Sequence, residues 1–552
     1  MRKHVNPSLT LVAVGCGCLL FAPLLQSCGG DDQGASARSR GEEMAEALRR
    51  GRELYQKHCL ACHGEKGYGD GTAAYLLYPK PRDFAGLEFR LISTDNGFPS
   101  DGDLLATITG GMPGSAMPPW GHLAEDDRWA LVHYVKKLAR DGKIARLVAD
   151  GSSREEAEEI AREQCVPGKP VVIPEERPAG QASLARGKVV YAQLCKSCHD
   201  EDGRGRRKRD LLDSEGYPIF ARDFTKGIFK GGASAKALAT RFIAGMPGTP
   251  MPSFETQFEQ KDDLWAVVHY IRSFVEKGAQ ERVQQRRTEL VAMRTGADLG
   301  ADAEGAPWSG VAPVWLALMP LWWRDDRVEG VRFQALHDGK RLAVRLSWED
   351  ATRDDHQVGQ QAFGDSAAIQ WSADEDPPFF GMGAKAAAVN IWHWKASWEA
   401  DMGGFRDVQF SFPNVSWDLY PSLRKPPFGR HSPVGEFATS QHKPEFLSGW
   451  GAGNPMSDPV RSTSAEDLSA EGFGTLTSRP RSLQTVSGKS RWQNGTWEVV
   501  FVRPLAASGS GSIGLEPGAS SVSVGFAVWD GSSKDRDGQK SVSIWHRLRL
   551  ER

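Results

Sequence analysis

The chain has 552 residues, of which 40% are hydrophobic and 25% charged, and a formal net charge of −2. That length suits two to four domains, and the composition is that of a globular protein able to bury sizeable cores. The near-neutral balance argues against nucleic acid as a partner, because no basic excess exists to neutralise phosphates.

The N-terminus reads as a targeting segment. "MRKH" supplies a positive start, and "LTLVAVGCGCLLFAPLL" supplies an apolar stretch too short and too poorly flanked to span a bilayer. The run ends in "LQSC" and resembles a bacterial lipoprotein signal over residues 1–27, with cleavage before Cys28 and lipid on that residue. Gln26 departs from the usual small residue, and an ordinary cleaved signal peptide is the alternative. Either reading places the mature protein outside the cytoplasm, in the periplasm, and several acyl chains would hold it to the membrane durably. Residues 28–45 are polar and read as a flexible tether. No other run approaches the ~18 apolar residues of a membrane-spanning helix.

Cys16 and Cys18 leave with the signal, and Cys59, Cys62, Cys195 and Cys198 form two pairs, leaving only Cys165. An exported chain with this count is not built on a disulfide framework. The pairs lie in "CLACH" and "CKSCH", the attachment signature of a c-type haem. Two thiols one helical turn apart can reach the porphyrin vinyl groups, and His63 or His199 then sits under the iron. A lone CxxCH can also be a zinc half-site or a redox dithiol. Export, duplication and a second ligand at matching spacing weigh against both.

The duplication runs through whole blocks. "GRELYQKHCLACHGEKGYGDG" corresponds to "GKVVYAQLCKSCHDEDGRGRR", "PKPRDFAG" to "FARDFTKG", "ITGGMPGSAMPPW" to "IAGMPGTPMPSF", and "DDRWALVHYVKKL" to "DDLWAVVHYIRSF". Met117 and Met251 each precede a proline, which keeps their loops extended. These blocks resemble class I cytochrome c domains, at 46–141 and 181–277. The resemblance implies covalent haem c in each, with His63 and Met117, or His199 and Met251, on the iron. The earlier methionines Met112 and Met246, in "GMPG", are read as packing or loop residues. Arg82 and Arg222, in the "RDF" repeats, are either bidentate partners of haem propionates or solvated loop arginines. Trp129, Trp265, Tyr134 and Tyr270 recur at helical spacing and read as core. His/Met ligation favours ferrous iron and leaves no open position, so both modules read as outer-sphere electron carriers. That sets aside a diheme peroxidase, which needs an exchangeable sixth ligand.

The linker 142–180 holds a charged helix, "SREEAEEIAREQ", then Cys165 as a half-buried free thiol and a Pro-rich spacer. After a second linker at 278–300 the periodicity changes from helical to alternating. "VRFQALHDGKRLAVRLSW" reads as a hairpin turning at Asp338-Gly339, and "SRWQNGTWEVVFVRPL" as another at Asn494-Gly495. Residues 301–552 therefore read as an all-β antiparallel sandwich with long loops, giving a multidomain chain of two all-α modules followed by a β-domain.

Four blocks of this last domain, "GDSAAIQWS", "FFGMGAKAAAVNIWHWKA", "SAEDLSAEGFGTLTSRP" and "SVSVGFAVWDGSSKDRDGQKSVSIWH", resemble the haem-binding γ subunits of periplasmic molybdenum enzymes of the DMSO reductase family. The ethylbenzene, dimethyl sulfide, selenate and chlorate oxidoreductases belong to it. The resemblance implies one non-covalent haem b between a methionine and, usually, a lysine. Met382 matches the methionine. Met456 or Lys443 is the candidate across the iron, taken from the stretch just before the "EDLSAEGFGTL" block and its surroundings. Strand alternation puts His393 with Val389 and Ile391 as a structural residue, and Trp392 and Trp394 in the core.

The expected function is that of a non-catalytic, lipid-anchored electron-transfer subunit. It would relay electrons between molybdenum/iron–sulfur oxidoreductase subunits and a respiratory cytochrome or quinol-linked complex. The rival is a tethered diheme cytochrome whose β-sandwich binds carbohydrate without haem.

Overall fold

Gly51 and Gly187 mark where the duplicated sequence becomes duplicated structure. At each, one helix crosses another so closely that a Cβ would collide with a backbone carbonyl, that of Ala130 or Ala266. The helices are α1 (Asp31–His58) on α4 (Glu125–Ala149), and α6 (Gln181–Leu194) on α9 (Asp263–Ser273). Tyrosines packed at a steep tilt lock both crossings, Tyr55 with Tyr134 at 5.3 Å and Tyr191 with Tyr270 at 5.4 Å between ring centroids. Between the crossing helices lie the CxxCH turns, as α2 (Leu60–His63) and α7 (Lys196–His199), and the helices α3 (Asp101–Gly110) and α8 (Ala235–Ala244). Ser100 and Ser234 cap α3 and α8 by accepting from the backbone three residues on.

The computed structural model describes residues 31–552 apart from 207–210, 304, 325, 358, 380, 405, 407, 413, 415–453, 459–460 and 519–520. Cys28 and Lys443 lie outside the described residues. From Asp31 the backbone is helical, where the polar composition predicts a tether; the stretch is rich in Ala, Arg and Glu, which favour helix. Helix α4 runs on to Ala149, and α5 (Arg154–Gln164) covers it with the fully buried Ala157 and Ala161. No helix among the described residues is long and apolar enough to cross a membrane.

A short α10 (Ala279–Val283) leads into fourteen strands among the described residues. They are β1 (Glu289–Arg294), β2 (Val314–Ala317), β3 (Met319–Pro320), β4 (Gly330–His337), β5 (Arg341–Glu349), β6 (Ser366–Ser372), β7 (Val389–Lys395), β8 (Ala465–Ala470), β9 (Thr477–Ser478), β10 (Ser487–Gln493), β11 (Thr496–Pro504), β12 (Val522–Trp529), β13 (Ser541–Val542) and β14 (His546–Leu550). One sheet runs β10-β11-β5-β4 and the other β14-β12-β6-β7-β8-β9, and β1 joins them. Both expected hairpins form. Asp338 accepts from Lys340 and Arg341 at the first turn, and Asn494 and Gly495 take positive φ at the second. The pairing is mostly antiparallel. The departure is β1, which pairs in parallel with β14 over Glu289–Ala292 and with β4 over Met293–Arg294. It enters from the cytochrome side rather than from a hairpin, so nothing forces it to run against its neighbours.

The two sheets close on a tryptophan-rich core. Trp348, Trp371, Trp392, Trp394 and Trp497 are fully buried together with Phe333 and Phe501. The first helical module docks on this domain through Tyr78, whose N–H donates to Leu321 O (2.9 Å) and whose carbonyl accepts from Trp323 N (2.9 Å). The second docks through Lys226, paired with Glu329 at 3.1 Å.

Candidate functional site

Each CxxCH histidine has its ring fixed by the chain that follows it. Nδ1 of His63 lies 3.1 Å from Arg82 O, and Nδ1 of His199 lies 3.1 Å from Arg222 O. A carbonyl accepts only from N–H, so Nδ1 carries the proton and Nε2 keeps a free lone pair. Phe84 and Phe224 stack on these rings at 4.7 and 4.3 Å. Burial pushes both imidazoles down, His199 to about 4, so both are neutral donors at ordinary pH.

The methionines opposite sit on loops of one design. Met112 N donates to Met117 O (3.0 Å) and Met246 N to Met251 O (3.1 Å). Ser115 or Thr249 closes each loop, donating its hydroxyl to the first methionine's carbonyl and accepting from the second methionine's N–H.

A first cavity, of about 160 Å³, is lined by Cys59, Cys62, His63, Arg82, Met112 and Met117. A second, of about 360 Å³, is lined by Cys195, Cys198, His199, Arg222, Met246 and Met251. The spacing thus brings together every residue it nominated in each module, and both methionines of each loop face the cavity. All four cysteines are free thiols. Burial pushes Cys59, Cys62 and Cys195 up to about 12, so they stay protonated and uncharged. Soft thioether, neutral imidazole and paired thiols around one apolar cavity are a donor set that suits a covalently attached haem. Cys165 is the half-buried thiol expected, packed beside the first core.

The third cavity lies in the β-domain, and its volume of about 840 Å³ is within the range that holds a prosthetic group. Met382 lines it. Its loop is tightly pinned: Met382 has φ 73, Gly383 has φ 79, and a Cβ on Gly383 would lie 2.8 Å from Ala470 O. Met382 N donates to Gln370 Oε1 (3.1 Å) and Met382 O accepts from Gly472 N (2.8 Å). A positive φ on a long side chain is uncommon and costs energy that these contacts must offset.

Met456 is placed elsewhere. Its side chain is 48% exposed and sits 3.7 Å from Lys395 Nζ, outside the cavity. It belongs to a short 3-10 turn capped by Asn454, which turns it outward. The group that does line the cavity with Met382 is Lys540, at the foot of β13. Its Nζ lies 4.5 Å from the Trp529 ring centroid, and burial pushes its ammonium down to about 8, Asp537 offsetting part of the effect. A lysine can bind a metal only as the neutral amine, and desolvation favours that form. Lys540 stands in "RDGQKSVSIW", inside one of the blocks that carry the resemblance, rather than in the stretch before "EDLSAEGFGTL". His393 also faces this cavity, from the side of β7 opposite Trp392 and Trp394. Its ring packs at a tilt against Trp529 at 5.0 Å between centroids, and its Nε2 is enclosed without a partner.

The cavities share walls. Cys62, Leu77, Ala116 and Phe379 line both the first and the third. Lys230, from the second module, lines the first as well as the second.

Comparison with known proteins agrees with this division. Residues 319–541 match the family described as ethylbenzene dehydrogenase. Residues 46–135 match cytochrome c oxidase, cbb3-type, subunit III, and 184–274 match cytochrome c. Three relatives are a Haloferax mediterranei protein assigned as a respiratory nitrate reductase heme subunit (27% identical), dimethylsulfide dehydrogenase subunit gamma of Rhodovulum sulfidophilum (28%) and chlorate reductase subunit gamma of Ideonella dechloratans (27%). The matches cover 40%, 41% and 39% of this chain, and it spans 56%, 62% and 63% of theirs. A chain of a reducing HAO-like protein complex from Kuenenia stuttgartiensis is 32% identical, with 41% of this chain and 96% of that one covered and a TM-score of 0.35. The chain carries two cytochrome c domains followed by a domain of the ethylbenzene dehydrogenase type.

Proposed function

We propose that this chain is the electron-transfer subunit of a periplasmic molybdenum oxidoreductase, with its own cytochromes fused to it. The observation that carries the reading is the shared walls: three cavities, each with its own metal-ligand set, abut within one fold. Cys59 and Cys62 with His63 and Met117, and Cys195 and Cys198 with His199 and Met251, would each hold a covalent haem c. Met382 and Lys540 would hold a non-covalent haem b. When bound, these groups supply reversible one-electron carriage.

The chain's own part is to hold and tune. Carbonyls of Arg82 and Arg222 fix the imidazoles. The methionine loops supply soft donors that favour the reduced state. The largely apolar walls leave few polar groups to reorganise when charge changes.

The relatives named as gamma or heme subunits of nitrate, dimethylsulfide and chlorate enzymes support a molybdoenzyme as the partner. Fusing cytochromes to such a subunit replaces diffusional encounter by a tethered relay. Export with lipid on Cys28, and delivery to or from a respiratory chain, complete the proposal. The test is the native protein's haem content. Two haems surviving acid-acetone and one extracted by it support the reading; a β-domain with no extractable haem refutes its b-haem part, and absence of covalent haem refutes the whole.

A further inference from the structure

Two motifs recur in both cytochrome modules beyond the ligands themselves, "RDF" and the glycine of "GMPG". The structure crosses them over. A Cβ on Gly114, in the first module's methionine loop, would collide with Nη1 of Arg222 from the second module. A Cβ on Gly248, in the second module's loop, would lie 3.3 Å from Nη1 of Arg82 from the first. Gly114 and Gly248 are equivalent, as are Arg82 and Arg222. The contact is therefore reciprocal, as in an isologous dimer interface, but within one chain.

A second equivalent pair stands beside it. Arg90 follows Phe89 as Lys230 follows Phe229, each at the same distance beyond its RDF motif. Both line the first cavity, and Lys230 also lines the second. Four basic side chains thus gather where the modules meet. Two carboxylates from 213–215 answer them: Asp213 pairs with Arg90 at 2.9 Å and Glu215 with Arg82 at 3.1 Å. Arg222 Nη1 and Arg90 Nε are enclosed and have no acceptor. Burial pushes Arg222 down to about 9 and Lys230 well below its ordinary value, with neighbouring cations adding to both. An enclosed excess of positive charge is costly unless an anion meets it.

We infer that Arg82, Arg90, Arg222 and Lys230 form one cationic seam that binds the carboxylate side chains of both c haems, so that each module's charge helps set the other's reduction potential. This rests on the haem c reading above. Each crossed arginine lies against the other module's methionine loop, and at Gly114 the approach is close enough that only glycine fits.

Reduction potentials of the full-length holoprotein test it, read by optical redox titration. Arg222→Gln removes a cation that lines the second cavity and abuts the first module's methionine loop at Gly114, and that loss disfavours the added electron. Both c-type midpoints should fall, while Arg222→Lys stays close to wild type. A change confined to the second module, or none, overturns the seam. Gly114→Ala gives an independent reading, since it pushes on Arg222 from the first module without removing charge. It should shift the second module's midpoint, and a shift in the first alone overturns the crossing. Wild-type spectra lacking covalent haem would instead refute the functional reading, and that is seen before any variant is made.

Discussion

Met382 and Lys540 line one cavity, although the chain places them in separate loops of the β-domain. One loop is held by a strained backbone at Met382, the other by packing of Lys540 on Trp529. Two donors converging on a space of this size are what a prosthetic group needs from a β-sandwich, and they motivate the first prediction. Met382→Ala abolishes the b-type spectrum while both c-type spectra persist. Lys540→Ala does the same or leaves a high-spin b haem. Pyridine haemochrome spectra decide. If Lys540→Ala is silent and His393→Ala removes the b haem, the ligand opposite Met382 is His393.

The cytochrome ligands are tested one module at a time. Met117→His keeps covalent attachment but replaces a soft donor with a nitrogen, so the first module's midpoint falls markedly and the second's moves little. Loss of the near-infrared methionine band for one haem only accompanies it. If that band is untouched, Met112 is the ligand instead, since it faces the same cavity.

Three carboxylates, Asp350, Asp365 and Asp530, converge in the β-domain. Burial pushes Asp365 up to about 8 and Asp350 up to about 6, each raised further by a neighbouring carboxylate. A raised carboxyl in the folded state contributes stability that is full below its unfolded value near 4 and is lost as pH rises through the folded one. Over that window the native state holds more protons than the unfolded one, so stability falls with pH by at most about 1.4 kcal/mol per unit per group. Asp350→Asn removes the repulsion at an oxygen that has no partner, Oδ2. The variant should lose less stability than wild type between pH 5 and pH 8. Thermal melts at both values, with chelator present, measure it, and a variant less stable at pH 8 would contradict this account.

Trp394 is fully buried and packs on Trp348 and Trp497, with ring centroids at 6.0 and 4.9 Å. Trp394→Ala leaves a void that neighbouring rings cannot fill, and costs about 3–5 kcal/mol. Denaturant unfolding followed by tryptophan fluorescence should show that loss in the β-domain transition, with c-type spectra unchanged.

Where sequence succeeded and where it stopped has a physical cause. CxxCH, the methionine loops and the tyrosine-bearing helices are local motifs whose geometry follows from a few bonds, and duplication wrote them twice. Alternation around Trp392 and Trp394 assigned the core face of β7 correctly, but it could not show that the opposite face, with His393, walls a cavity. Lys540 and Met382 meet only because β6 and β12 pair over seven residues, and no local pattern encodes such a meeting. Met456 is exposed and does not line the cavity, since proximity along the chain to a matched block carries no information about direction. The junction of the modules was unreadable because neither RDF nor GMPG states which partner it will touch. Parallel pairing of β1 likewise depends on strands far from it in sequence.

That strand also bears on how the protein matures. Four residues of β1, directly after the cytochrome modules, pair with the sequence-distant β14, Glu289 standing opposite Arg547. The β-domain therefore cannot finish folding until its last residues are delivered, whereas each helical module is built from neighbouring segments and can settle as it emerges. Assembly is thereby ordered in time: the helical modules can collapse from their own segments before the third domain docks on Tyr78 through Leu321 and Trp323. A nick or truncation removing residues 546–552 would leave spectroscopically normal cytochromes attached to a domain that never closes.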